Sequence, residues 1–498
     1  MSGDGVLIGL DVGTGGTRAL AIDADGKLIA QASAEYPLST PRPGWAEQDP
    51  EHWWQATLSV LRQVVSQLRT PVIGLGLTGQ MHGAVFLDGR DRVIRPAMLW
   101  NDQRTAAQCA SMHERVGRER LIEISGNPAI TGFQAPKILW VRDEEPDAYL
   151  QIARVLLPKD FVRLRLTGEA ATDASDASGT SLLDLRSRNW SSEVLDALDI
   201  PRRWLPAVHE GPDVAGAVSE GAASFTGLPA GLPVVAGGGD NAAAAMGTGI
   251  VTQGLISSSI GTSGVLFAHT DSLRIDPLGR LHAFCHALPG AYHVMGVTLS
   301  AGSSLRWWRD AMGGDLDYEQ LSQLAATAPP GCDGLFFLPY LTGERTPHLD
   351  PAARGAFAGL GTHHSRAHLT RAVMEGVTHS LRDCLDLIQG LDLQASEIRA
   401  TGGGARSALW RQLQADMFGI QVRRTLREEG PAFGAALLAG MGTGVFTSAA
   451  DACAVIPLDP MVQAPDADLH RQYSRLHETY RRLYEELAPT MHRMAAIG

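Results

Sequence analysis

Lysine is nearly missing from this sequence. Three occur in 498 residues, at positions 27, 137 and 159, against 39 arginines. A GC-rich coding bias accounts for the ratio, and under it the lysines that remain are worth following. Cysteine is sparse too. The five (Cys109, Cys285, Cys332, Cys384 and Cys453) are scattered, odd in number and without a C-x-x-C pair. That argues against a disulfide framework or a zinc site, and fits a reducing cytoplasm. The N-terminus lacks the basic region and apolar core of a secretory signal. No Asp, Glu, Lys or Arg lies between Asp240 and Asp271, yet Gly, Ser, Thr, Asn and Gln fill that stretch. It reads as buried strands and loops rather than a membrane span. Net charge is −12 and the pI about 5.7. Such a surface repels nucleic acid and anionic membranes, so neither is expected as a partner. A small anion can still be held locally by backbone amides and a cation.

Several catalytic motifs are also missing. There is no G-x-x-x-x-G-K-[ST] phosphate loop, and no strand-G-x-G-x-x-G-helix with an acidic partner. No G-x-S-x-G supports a hydrolase. His363, His364 and His368 cluster where a helix should begin, but lack the H-E-x-x-H carboxylate, so metal ligation is not expected there.

What is there is a repeated unit. The run Val6-Leu7-Ile8-Gly9-Leu10-Asp11 leads into Gly13-Thr14-Gly15-Gly16, then Ala19-Leu20-Ala21-Ile22, an Asp25-Gly26 turn and a third short strand. Later, Leu255 to Ile260 leads into Gly261-Thr262-Ser263-Gly264 and then Val265 to Ala268. The two Gly-Thr turns lie one half-chain apart, which predicts two similar halves facing a cleft. We place the boundary at 1–248 and 249–498. Helices are predicted over 51–68, over 365–390 and along the C-terminal segment, where Leu469, Tyr473, Leu476, Tyr480, Leu483 and Leu487 form a stripe. The stripe serves either a homodimer seam or, the favoured reading, packing on its own domain.

Paired glycine turns between strands aim successive N–H groups at one point and suit a polyphosphate clamp. Asp11 ends its strand just before the first turn, where a carboxylate holds Mg²⁺ beside phosphates; the alternative is a turn cap. Asp240 follows Val234-Val235-Ala236-Gly237-Gly238-Gly239 and precedes Asn241 and four alanines. A carboxylate at that helix start suits a general base for a hydroxyl; the alternative is an N-cap. Gly402-Gly403-Gly404-Ala405 follows a strand, and backbone without side chains can lie flat against a nucleoside.

Together these residues resemble the FGGY carbohydrate kinases almost end to end. Gly132 to Trp140 is similar to the family's first signature, and Gly355 to Leu360, continued through His368-Leu369 and Ala372 to Glu375, to its second. The resemblance implies an α/β fold of two ribonuclease-H-like, actin-like ATPase domains with ATP and a sugar in a central cleft. The pieces Gly79-Gln80-Met81-His82-Gly83, Leu99-Trp100-Asn101-Asp102, Leu157 to Asp160, Ser175 to Thr180, Phe284 to Pro289 and Gly343 to His348 are most similar to those of members acting on D-xylulose. By resemblance, Met81, His82, Trp100, Asn101 and Asn241 surround the ketose, and Asp240 takes its hydroxyl proton. Asp11 and Thr14 serve Mg²⁺ and phosphate, Gly261 and Thr262 serve phosphate from the second half, and Gly402 to Ala405 hold the nucleoside. Gly15 departs from relatives, which often carry Ser there. Lys137 and Lys159 are expected as structural or cleft-lining ion-pair residues. The competing readings are a sister kinase for ribulose, gluconate, glycerol or a pentitol, a non-catalytic actin- or chaperone-like ATPase, and a sugar sensor without turnover.

Overall fold

Alternation of buried apolar residues with glycine turns builds two mixed sheets, each with helices packed against it. The computed structural model describes residues 5–312, 314–426 and 430–495. Numbered over the two central sheets, the first comprises β1 (Val6–Val12), β2 (Gly16–Ile22), β3 (Leu28–Glu35), β4 (Val72–Gly79), β5 (Val214–Ala217) and β6 (Pro233–Gly239). Its order is β3-β2-β1-β4-β6-β5. The second comprises β7 (Leu255–Ile260), β8 (Gly264–Thr270), β9 (His282–Cys285), β10 (Tyr292–Thr298), β11 (Glu397–Thr401), β12 (Val422–Thr425) and β13 (Leu458–Gln463). Read from β10, its order is β10-β8-β7-β11-β12-β13, with β9 added at the edge.

The repeat inferred from two short turns extends to the whole sheet. In the first, successive pairings run antiparallel, antiparallel, parallel, parallel, antiparallel. In the second they run in the same sequence. Sheets of this order are ribonuclease-H-like, and ligands of such α/β sheets gather outside the carboxyl ends of the parallel strands. Those ends are level here. Val12 of β1 pairs with Gly79 of β4, and Gly79 with Gly239 of β6. In the second sheet Ser259 of β7 pairs with Thr401 of β11.

The predicted helices form at Pro50–Gln67, Arg366–Gln389 and Ala467–Ala495. In the second, Val373, Val377, Leu381, Leu385 and Ile388 are fully buried, each contributing roughly 1.5–3 kcal/mol to the core. The C-terminal stripe packs on its own half. Tyr473 is buried and its hydroxyl donates to Glu375 Oε1 at 2.6 Å, while Leu469 and Leu476 lie against the main core. His364 and His368 are used in the turn before Arg366–Gln389: Gly361 N–H donates to His364 Nδ1 at 2.8 Å and Ser365 N–H to His368 Nδ1 at 3.2 Å.

Candidate active site

Three loops leave the first sheet at one level. β1 delivers Asp11 and the turn 13–16, β4 delivers Gln80 to His82, and β6 delivers Asp240. The second sheet contributes the turn 261–263 from β7 and Gly402 to Ala405 from β11.

β6 does not run straight into its helix. Its register against β4 slips between Val235 and Gly238, and Gly237 sits at φ +77°. A side chain there would bring its Cβ to 1.7 Å from the Leu77 carbonyl oxygen, so only glycine fits. Bulges of this kind re-aim the residues that follow. Gly239 is then the N-cap and Asp240 the first helical residue, so Asp240 is not the cap. Its Oδ1 accepts from Asn241 N–H at 2.7 Å and from Asn241 Nδ2 at 2.9 Å. Oδ2 is left without a partner among the described residues. Burial pushes Asp240 up to about 6, against the lowering pull of the two Asn241 bonds.

Asp11 does not cap its turn either. Its Oδ1 is shielded from solvent and has no hydrogen-bond partner among the described residues. Burial first, and the charge of Asp240 second, push Asp11 up to about 7. A shielded, unpartnered carboxylate near a second carboxylate is the environment a divalent cation relieves.

The two Gly-Thr turns share backbone chemistry and differ in side-chain use. In each, the amides of the second and third residues (Thr14 and Gly15; Thr262 and Ser263) have no acceptor among the described residues. Tyr36 Oη pins the first turn by donating to Gly13 O at 2.5 Å, and Gln48 Nε2 does so through Thr14 O at 2.7 Å. The Thr14 hydroxyl donates to Gln80 Oε1 at 3.0 Å and accepts from Trp100 Nε1 at 2.9 Å. That hydroxyl therefore joins the turn to the loop carrying Trp100 and Asn101, and what the turn leaves free to bind an anion is its backbone amides. The Thr262 hydroxyl has no such partner among the described residues; the bonds made there are to its carbonyl. A Cβ at Gly15 would meet nothing within 4 Å, so the missing side chain leaves the turn's shape unchanged.

His82 and its surroundings form a wall on the loop that follows β4. Its backbone is left-handed, at φ 67°. The Nδ1–H donates to Gly179 O at 2.7 Å, which leaves Nε2 as an acceptor. Burial lowers the ring to about 3, so it is neutral at physiological pH. The imidazole stacks on Phe133 with centroids 4.3 Å apart. Lys137, fully buried, donates to His82 O at 2.8 Å and Gly132 O at 2.7 Å. It forms no ion pair among the described residues, so of the two roles expected for it, structural or ion-pairing, these bonds fit the structural one; Arg104 engages Asp102 at 2.6 Å. Burial lowers this ammonium to about 7. Met81 is 4% exposed and lies beneath the Asp240 turn, where a Cβ at Gly239 would sit 2.9 Å from its Sδ. Trp100 is exposed, and Asn101 Oδ1 is shielded without a partner.

On the second half, Gly261, Thr262, Gly403, Gly404, Tyr318 and Trp410 line a cavity of about 460 Å³, a volume suited to a nucleoside. Gly402, at φ +74°, makes the turn, since a Cβ there would come 2.7 Å from Ile260 O. Ala405 is buried and its carbonyl accepts from Arg411 at 2.6 Å. Of the four predicted residues, the middle two line the cavity. Tyr318 and Arg306, also on its rim, were not foreseen; neither sits in a motif that would have marked it.

The N-terminal domain description of the FGGY family of carbohydrate kinases matches residues 6–247, and its C-terminal domain description matches residues 256–443. The xylulose kinase of Escherichia coli strain K12 is 44% identical over 488 residues, covering 98% of this chain and 100% of the relative. Among solved structures, xylulose kinase from Rhodospirillum rubrum superposes with a TM-score of 0.92 at 32% identity, over 98% of this chain and 100% of the other. Gluconate kinase from Lactobacillus acidophilus superposes with a TM-score of 0.94 at 26% identity, over 98% and 99%. No helix of the described residues is long and apolar enough to cross a membrane.

Proposed function

The chain belongs to the FGGY family of carbohydrate kinases, and from that premise we propose that it phosphorylates D-xylulose on its terminal hydroxyl, giving D-xylulose 5-phosphate, at the expense of ATP in the cytoplasm. The observation that carries the mechanism is Asp240: one oxygen tied by Asn241, the other free, at the level strand ends of the first sheet, close enough to Asp11 for their charges to interact. Asp240 Oδ2 accepts the proton of the sugar hydroxyl as that oxygen attacks the γ-phosphorus, and the bond from the γ-phosphorus to the β–γ bridging oxygen breaks, so that ADP leaves with the electron pair. His82 Nε2 accepts a hydrogen bond from the ketose, and Asn101 Oδ1 accepts a second. The free amides of the two turns bind phosphate oxygens from opposite walls, and Gly403 and Gly404 lie against the nucleoside. Mg²⁺ would be held through Asp11 and would neutralise charge on the phosphates. Closure of the two halves aligns the hydroxyl and excludes water. The domain boundary falls at 248/249 in this reading, directly after the Asp240 helix, and a homodimer remains part of it only through surfaces other than the C-terminal stripe.

The substrate rests on sequence rather than on fold. A gluconate kinase and a xylulose kinase superpose equally well, so overall shape does not select the sugar; the 44% identity to a xylulose kinase does. ADP release measured with Mg-ATP across D-xylulose, D-ribulose, L-ribulose, glycerol, gluconate and D-arabitol tests it. kcat/KM for D-xylulose is expected to exceed every other by at least about 10²-fold, because unpaired polar groups in a hydrogen-bonding pocket reject epimers strongly. A preference for another polyol would overturn the substrate and leave the kinase. Absence of turnover on all six would favour a sensor or a protein-binding ATPase.

The unpartnered Thr262 hydroxyl gives a second test. Thr262→Val is expected to raise KM for ATP about 10-fold, the worth of one hydrogen bond to a charged group. KM for the sugar should stay within about 2-fold. A change confined to sugar affinity would mean the second turn does not meet phosphate.

A further inference from the structure

Behind the Asp240 turn lies a buried charged cluster that the reaction itself does not use. Lys159, Asp160, Arg163, Asp173 and Asp176 are all completely buried. Lys159 Nζ lies 2.6 Å from Asp160 Oδ1, 2.8 Å from Asp173 Oδ1 and 3.4 Å from Asp176 Oδ2. Burying charges of this kind is often no more stabilising than apolar packing of the same volume, so stability alone does not account for it. The hydrogen bonds leading out of the cluster converge on one place. Arg163 Nη1 donates to Val235 O at 2.6 Å and Nη2 to Ala236 O. Asp173 Oδ2 accepts from the Ser175 hydroxyl at 2.5 Å and from Ser175 N–H at 2.8 Å. The Ser175 oxygen in turn accepts from Gly239 N–H at 3.1 Å. Residues 235 to 239 are the bulged end of β6, where the register slip removes ladder partners and Gly237 turns left-handed. The cluster thus supplies partners to backbone groups on both sides of the bulge.

We propose that Ser175, oriented by the Lys159–Asp173 pair, is a positioning residue that fixes the Gly239 amide and thereby the direction of the Asp240 carboxylate. This rests on Asp240 being the base. The hydroxyl has one orientation open to it. Asp173 can only accept and Gly239 N–H can only donate, so the Ser175 proton points to Asp173 and its lone pair to Gly239. Lys159 holds the far oxygen of Asp173 and so keeps that carboxylate aimed. Gly239 immediately precedes Asp240, so its amide sets the entry angle of the helix that carries the base.

The test is Ser175→Ala beside Ser178→Ala. Ser178 is buried on the same short helix, and its oxygen accepts from Cys285 N–H at 3.0 Å, away from the bulge. Ser175→Ala is expected to lower kcat by at least about 30-fold, since small misplacement of a reacting group is costly, with KM for sugar and ATP each within about 3-fold. Ser178→Ala, with a comparable loss of Tm, should keep kcat within about 2-fold of the parent. A Ser175→Ala enzyme with near-parental kcat, while Asp240→Asn is inactive, overturns the inference and leaves the base in place. An active Asp240→Asn overturns the underlying reading instead. If Ser175→Ala does not fold, Ser175→Cys decides: it keeps volume but accepts poorly, and undiminished kcat there would equally sink the inference.

Discussion

Replacing Asp240 by Asn is expected to lower kcat by about 10³-fold, within the span that a positioned general base contributes. The amide keeps the shape of the carboxylate. It keeps an oxygen for the Asn241 N–H and Nδ2 bonds, which are 2.7 and 2.9 Å long. What it loses is an atom able to take a proton. Sugar affinity, measured calorimetrically without turnover, should therefore change by less than about 3-fold. The pH profile provides an internal check. Burial raises Asp240 to about 6, so the fraction ionised falls as the pH drops through that value. kcat should accordingly decline by about tenfold per pH unit below 6, and above it should level off. In Asp240→Asn the residual rate should lose that acid limb. Parental turnover in the variant, or an acid limb that survives the substitution at Mg²⁺ and ATP concentrations saturating at every pH, would remove Asp240 from the chemistry.

How much of this was legible in the sequence differs from residue to residue. The two Gly-Thr turns were a four-residue resemblance, yet they marked a repeat in which the five corresponding strand pairings have the same sense in both sheets. Short turns carry that information because glycine, threonine and the apolar strands around them are local signals. Lys137 was different. Its position inside the stretch similar to the family's first signature pointed to a structural or ion-pair role, and the structure gives it two carbonyls. Nothing local announces that: His82 and Gly132 meet Lys137 only through tertiary packing. Thr14 is a third case. The resemblance gives it to Mg²⁺ and phosphate without saying which of its groups acts, and Gln80 and Trp100, 66 and 86 residues away, take up the hydroxyl. The bulge in β6 lies between. The glycine triplet signalled a close approach, but which glycine needs positive φ depended on Leu77 across the sheet. Long-range partners decide the use of a polar side chain, and a single sequence does not list them.

The second large effect is expected at Asp11. Asp11→Asn should reduce kcat/KM for Mg-ATP by about 10²-fold, comparable to the loss of one strong electrostatic partner of a transferring phosphoryl group. Sugar binding should be unchanged. The argument begins from a discomfort in the structure: Asp11 Oδ1 is shielded, has no hydrogen bond and lies near Asp240, and burial with that neighbouring charge raises it to about 7. Removing the negative charge relieves that repulsion, so the variant should fold at least as stably as the parent. A cation site built on a carboxylate must compete with protons. Below pH 7 the protonated form of Asp11 prevails and cation affinity weakens; above it the carboxylate is free and affinity reaches its plateau. Titration of Mg²⁺ in the presence of a non-hydrolysable ATP analogue, between pH 5.5 and pH 8, reads this directly. The parent should bind the cation about tenfold more tightly per pH unit gained below 7, and Asp11→Asn should show a weaker, flatter dependence. A flat parental curve, or an Asp11→Asn enzyme that uses Mg-ATP normally, would mean that the carboxylate at the end of β1 serves the turn rather than the cation.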